Sequence, residues 1–285
     1  MGGVVGSAVY QRATVSPNVV ESKEPARAFN ASEFRKFTLM NLYDESHNTK
    51  VLRFAYPEGD MKGGLVCASC IVVRFVDGDG KEVIRPYTPM SKIDQDGYFE
   101  IMVKKYKGSK MGSHLHALKR GAEVEVKGPF VKIPIKPSQY KHIGMIAGGT
   151  GIAPMYQVAR ETLKGAKNTT EISLIYANSR KEDVLLGNEL NDLMEHHPLF
   201  APYYVLSHAP SNWMGGVGHI NKEMIKSFMP PPTKASESIV LVCGPPAFMT
   251  SISGDKDFNT SPPAQGDLTG LLKEMGYSSR QVFKF

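Results

Sequence analysis

Three short stretches carry side chains whose type and spacing suit chemistry. Residues 85–91 read RPYTPMS and bring a guanidinium (Arg85), a phenol (Tyr87) and a hydroxyl (Thr88) to one strand exit, with Pro86 between them. A guanidinium meets phosphate oxygens two at a time, so the set suits a diphosphate with an attached ring. Taken alone, it reads as a Pro-rich end to a strand. Residues 148–154 read GGTGIAP, between an apolar run and a helical pattern. A Gly-rich turn at a strand-to-helix junction lets backbone N–H groups approach a phosphate at the positive helix end. Such a turn also forms without a ligand; its place after the first strand of a parallel series favours one. Residues 243–249 read CGPPAFM. Cys243 there puts a small polarisable side chain at a sheet edge where ligands bind, or else is a buried structural thiol.

Other residues invite chemistry less well. Cys67 and Cys70 lie in the run LVCASCIVV. A redox pair needs a helix start to lower its thiol pKa. The β-branched residues from Ile71 instead predict a strand, in which positions i and i+3 face opposite ways. The run is therefore expected to be packing. His114 with His116, and His196 with His197, have no Cys or carboxylate cluster at ligand spacing, so no metal is expected.

The elements that must position these residues change character midway. Up to about residue 131 the chain reads as short strands. Turns fall at 44–48 and at Asp77-Gly78-Asp79-Gly80, and further strands fall in GYFEIMVKKY and GAEVEVKGP. This pattern predicts an antiparallel barrel or sandwich. From residue 142, strand runs alternate with helical ones. A helix starting at Pro154 presents Met155, Val158, Ala159, Thr162 and Leu163 on one face. The next carries Leu186, Leu190, Leu193 and Met194, and a third carries Ile220, Met224, Ile225 and Phe228. A last one carries Leu268, Leu271, Leu272 and Met275, closed by Gly276. The alternation predicts a doubly wound parallel sheet. The domains are thus expected at 1–30 (a flexible N-terminal segment), 31–137 (β-barrel) and 138–285 (α/β), with 253–265 a polar insert.

Composition sets the limits. The 285 residues are 41% hydrophobic and 22% charged, enough for two cores in a globular chain. A net charge of +6 favours an acidic partner. Lysines and arginines are scattered without interleaved aromatics, so nucleic acid is not expected. Three cysteines point to a reducing compartment rather than a disulfide framework. No apolar run reaches the ~18 residues of a membrane span. The opening MGGVVGSAVY, with no acid before Glu21, reads either as the remnant of an anchor or targeting segment or as a plain terminus.

In this order and at these spacings, RPYTPMS, GGTGIAPM and CGPP resemble the NADH–cytochrome b5 reductases, flavoenzymes of the ferredoxin-reductase-like superfamily. The resemblance covers about residues 37–285. The ending GDLTGLLKEMGYSSRQVFKF is similar to that of the mitochondrial-type members. The resemblance implies a barrel that binds FAD, followed by a Rossmann-like domain that binds NADH. On the FAD side it implies Arg85 at the diphosphate, Pro86 and Tyr87 along the ribityl–flavin region, and Thr88 near flavin N5. Val103, Lys104 and Tyr106 match the strand that lines the two cofactors. Lys110, Met111, Gly112 and Ser113 match a diphosphate loop in which the serine is displaced by one place. On the NADH side it implies Gly148, Gly149, Thr150, Gly151 and Pro154 at the nicotinamide turn. Tyr176, Ala177 and Asn178 would line the adenosine side, and Asp183 would oppose a 2′-phosphate. Cys243, Gly244, Pro245 and Pro246 would bound the nicotinamide–flavin contact, with Thr88 and Cys243 nearest the reaction.

The implied reaction moves a hydride from NADH to flavin N5, then single electrons to the haem of cytochrome b5, an acidic and transient partner. The cofactors carry that chemistry while the protein aligns them. A monomer is expected, attached to a membrane through its N-terminus and placed in the mitochondrion (outer membrane or intermembrane space). Two alternatives stand beside this. One is the same architecture with a quinone, ferric chelate or haem globin as acceptor. The other is a flavin-bound scaffold or sensor without turnover.

Overall fold

The computed structural model describes residues 27–165, 168–260 and 262–285. The first half forms β1 (Arg35–Ser46), β2 (Thr49–Ala55), β3 (Ser69–Val76), β4 (Glu82–Tyr87), β5 (Tyr98–Lys104), a helix α1 (Lys110–Ala117) and β6 (Glu123–Val131). The strands pair antiparallel in the order β4-β3-β6-β1-β2-β5. β1 serves two neighbours along its length: residues 35–38 pair with β6 and residues 39–46 with β2. The chain just past β4 reaches the far edge, where Met90 N–H donates to the Glu100 carbonyl at 2.8 Å.

Alternation puts rings on the inner face. Phe99 lies 4.9 Å from Phe29 and 5.3 Å from Phe37 and Phe54, centroid to centroid. Ala28 and Phe29 are buried in this core. Residues 27–30 therefore do not belong to a flexible segment: Phe29 fills the ring cluster, and Ala28 N–H donates to Lys62 O at 2.9 Å. The expected anchor or targeting stretch lies in 1–26, outside the described residues.

The second half forms β7 (His142–Gly148), α2 (Ile152–Leu163), β8 (Glu171–Asn178), α3 (Gly187–His196), β9 (Phe200–Leu206), β10 (Gly216–Val217), α4 (Lys222–Phe228), β11 (Ser238–Cys243), α5 (Pro246–Ile252), α6 (Gly270–Glu274) and β12 (Val282–Lys284). All pairs are parallel, in the order β10-β9-β8-β7-β11-β12. The order reverses at β7, which opens a crevice at its carboxyl end. The expected boundary at 137/138 falls in the connection between β6 and β7.

Several details differ from the sequence reading. α2 begins at Ile152, after a single 3₁₀ turn at Gly149–Gly151. Pro154 still lies in the first helical turn, where its missing N–H leaves nothing unpaired. Met194 is 46% exposed, so the apolar face of α3 is narrower than its leucines suggest. β3 starts at Ser69, not before Cys67. Ala68 turns the chain at φ 55°, and Ser69 Oγ donates to Val66 O at 2.6 Å. Among the described residues, no helix is long and apolar enough to cross a membrane.

Candidate active site

The carboxyl ends of β7, β8 and β11 open onto a cavity of about 710 Å³. Its walls come from both halves of the chain. Lys104 and Tyr106 arrive from the end of β5 and the loop beyond it. Gly148, Gly149, Ala177, Asn178, Asp183 and Pro245 arrive from the parallel sheet. Across the opening, Tyr106 Oη lies 3.4 Å from Thr150 Oγ1. A smaller cavity of about 560 Å³ beside Arg27, Met61 and Ile93 is lined by none of the expected site residues.

The Gly-rich turn is shaped by its neighbours. Gly149 has φ 52° and faces open space, so the backbone is bare to the cavity. A Cβ on Gly151 would run into the Cys243 carbonyl oxygen. A Cβ on Gly148 would press on the Phe248 ring at 3.1 Å. Tyr176, expected along the adenosine side, is instead fully buried behind the turn. Its hydroxyl donates to Gly149 O at 3.0 Å and accepts from Leu185 N–H at 3.2 Å. It shapes the turn rather than lining the cavity. Asn178, one strand residue beyond Ala177, is 8% exposed, and neither amide atom has a hydrogen-bond partner. A buried amide left open at a cavity wall suits a polar group of a ligand.

Asp183 already has two partners. Its Oδ1 lies 3.3 Å from Lys104 Nζ, and its Oδ2 accepts from Arg180 N–H at 3.2 Å. The side chains of Lys104 and Asp183 are 14% and 12% exposed. The carboxylate expected to face a 2′-phosphate is thus engaged as a bridge between the two halves.

On the barrel side, Arg85 and Tyr87 share one face of β4. Arg85 is exposed, donates to Ile84 O at 2.7 Å and pairs with no carboxylate among the described residues. Thr88 and Tyr87 are half-buried, and burial pushes the Tyr87 phenol up to about 12. The Val103 side chain is wholly within the barrel core, and its carbonyl lies 2.8 Å from His116 Nε2. Strand alternation turns it inward, and Val103 does not line the cavity. Ser109 caps α1: its Oγ accepts from Gly112 N–H and its carbonyl accepts from Ser113 N–H, each at 3.0 Å. Those two amides, expected to meet an anion, are satisfied within the turn. Met111 is buried, and Lys110 Nζ pairs with Asp77 at 2.5 Å. His114 stacks on Phe75 with centroids 4.0 Å apart, which accounts for that residue without a metal.

Cys243 is half-buried at the end of β11, and burial pushes its thiol up to about 12. Burial likewise pushes Cys67 to about 11 and raises Cys70. None is poised as a thiolate. Iodoacetamide at pH 8 is expected to label Cys243 at least ~100-fold more slowly than in urea-unfolded chain, and labelling should quicken as pH rises toward 11. Mass-spectrometric time courses check this; equal rates in folded and unfolded chain would contradict the burial argument.

Phe248, Ala247 and Ser251 also line the cavity, all from α5. This helix is absent from the elements expected above: Pro246 at the first helical position is a start signal, and Met249 and Ile252 form the buried face behind it.

Residues 36–134 match the family model described as oxidoreductase FAD-binding domain, and residues 145–254 match the oxidoreductase NAD-binding domain. A protein of Aspergillus clavatus named NADH-cytochrome b5 reductase 2 is 41% identical over 99% of this chain and 87% of its own. The protein of that name from Neurospora crassa is 46% identical over 84% of this chain and 69% of its own. Among solved structures, the cytochrome b5 reductase domain of Ulva prolifera nitrate reductase superposes with a TM-score of 0.79 at 28% identity. It covers 91% of this chain and 100% of that one.

Proposed function

The chain belongs to the NADH–cytochrome b5 reductase family, and on that premise we propose that it passes electrons from NADH, through FAD, to cytochrome b5. It is an FAD-dependent NADH oxidoreductase with the two-domain ferredoxin-reductase-like fold. The observation that carries the nicotinamide-side roles is the shared cavity; Arg85, Tyr87 and Thr88 do not line it, and their roles rest on the family resemblance. Tyr106 and Lys104 of the barrel face the Gly-rich turn and β11 exit of the α/β domain across it.

The residues present fit both cofactors. Arg85 is a guanidinium without a carboxylate partner among the described residues, which suits a diphosphate. The bare backbone at Gly149 and the open amide of Asn178 suit a dinucleotide. When bound, flavin and nicotinamide supply the hydride exchange and the release of single electrons. The chain supplies the rest. Arg85 and Tyr87 hold the flavin nucleotide, Thr88 donates its hydroxyl near the reacting edge, and Tyr106 covers the cleft. The turn at 148–151 and the wall at Pro245 orient the nicotinamide and keep water out, with Cys243 at the end of β11 beside that wall. Cys243 serves there as a neutral, half-buried packing thiol.

Arg85→Ala is expected to weaken FAD retention by about tenfold to a hundredfold, the worth of hydrogen bonds to a charged group. Flavin released on gel filtration measures it; unchanged retention would remove Arg85 from the diphosphate site. The function itself is tested by mixing the FAD-loaded protein with NADH, then with cytochrome b5 and a quinone in parallel. A chain that stays colourless after FAD is added, or whose flavin NADH does not bleach, would sink the reading. Faster reoxidation by quinone would move the acceptor.

The net charge of +6 supports an acidic acceptor that docks transiently, with this chain acting as a monomer. A mitochondrial membrane setting rests on the resemblance of the chain's ending and is tested by imaging a fluorescent fusion.

A further inference from the structure

Gln157 is a polar side chain with no exposure, so its amide must be satisfied inside the protein. It sits on α2, but both of its partners belong to the barrel. Its Oε1 accepts from Ser69 N–H at 3.1 Å, and its Nε2 donates to Pro89 O at 3.2 Å. Pro89 follows Thr88 directly. One helical turn on, the Arg160 guanidinium donates to the carbonyls of Met90 and of Ser91, the latter at 2.7 Å. Three consecutive carbonyls after Thr88 are therefore held by one face of α2. The same helix springs directly from the turn at 148–151. Gln157 lies six residues past Gly151, about 9 Å along a rigid helix.

We propose that Gln157 and Arg160 are positioning residues that set the gap across which hydride passes, by fixing α2 against the barrel chain that follows Thr88. This rests on the reading that Thr88 meets the flavin and that the turn at 148–151 meets the nicotinamide. Apolar packing would also hold two domains together, but it has no direction. Hydrogen bonds to three successive carbonyls fix distance and rotation at once. Hydride transfer requires the reacting atoms at about 3–3.5 Å, and a displacement of about 1 Å costs up to a hundredfold. Lys164, the residue just past α2, makes only an exposed pair with Asp94 at 2.9 Å and serves as the comparison.

The test uses the FAD-loaded full chain and the variants Arg160→Lys, Gln157→Met and Lys164→Met. Stopped-flow mixing with NADH gives the limiting rate of flavin bleaching per bound flavin and the half-saturating NADH. Addition of NAD⁺ to chemically reduced protein gives the long-wavelength band of stacked flavin and nicotinamide, an equilibrium readout of their contact. Arg160→Lys and Gln157→Met are expected to lower the limiting rate about tenfold to a hundredfold. They should also weaken the band, while FAD content and half-saturating NADH hold near wild type. Lys164→Met should resemble wild type in all of these. A limiting rate and band unchanged in Arg160→Lys would overturn the proposal, as would loss of FAD with an unchanged rate per flavin, because that is the mark of domain adhesion alone. If Gln157→Met does not fold, Arg160→Lys decides. A wild-type flavin that NADH fails to bleach would sink the underlying cofactor reading, and it would do so before any variant is compared.

Discussion

Lys104→Met is expected to destabilise the chain by about 3–5 kcal/mol, because it leaves the largely buried Asp183 carboxylate at the cavity wall without its cation. The pair spans the two halves at 3.3 Å, and each side chain is nearly nine-tenths buried. Asp183 keeps one backbone donor, Arg180 N–H, which stabilises part of its charge. Removing both charges should undo most of the loss. In Lys104→Met with Asp183→Leu, only the Arg180 amide is left unpaired, at about 1–3 kcal/mol. Urea unfolding of the two single variants and the double variant closes the cycle. A single-variant loss below about 1 kcal/mol would mean that the pair behaves as a solvated surface bridge.

Gly151→Ala is expected to slow reduction of the flavin by NADH about a hundredfold while leaving FAD in place. The added Cβ collides with the Cys243 carbonyl, a backbone atom that cannot rotate away. The turn and the exit of β11 must separate, which costs about 1–3 kcal/mol as an overpacked site. The same separation displaces the cavity wall, and misplacement of that order lowers rates about a hundredfold. The barrel is untouched, so flavin content should hold. Gly149→Ala gives the contrast: its Cβ meets open space, and only its left-handed φ of 52° opposes it, at about 1–2 kcal/mol. Bleaching by NADH in Gly151→Ala at the wild-type rate would show that the close approach at Cys243 does not shape the site.

The fold was legible wherever periodicity and turns agreed. The two hairpins of the barrel and the strands β7, β8, β9 and β11 follow directly from β-branched runs bounded by Gly, Asp and Pro. Residues 27–30 were misjudged because a single Phe in a polar context gives no period, although Phe29 completes a ring cluster assembled from distant strands. α5 was hidden because Pro-Pro can either end or begin a helix. The site was legible as motifs but not as contacts. Nothing local indicates that Tyr176 turns inward to serve Gly149, that Val103 faces the core, or that Asp183 meets Lys104 from another domain. Gln157 gave no signal at all: a polar residue within a helix reads as surface until the barrel segments around Ser69 and Pro89 are placed on it.

The Tyr176 hydroxyl joins the backbone of the Gly-rich turn to that of the loop after β8. On the proposed reading those loops would hold opposite ends of one dinucleotide, and this phenol, with the β7–β8 pairing beneath it, would set how far apart they stand. A ligand that spans both loops gains from being one covalent piece, because its second end arrives at high effective concentration, whereas two half-molecules of the same chemistry do not.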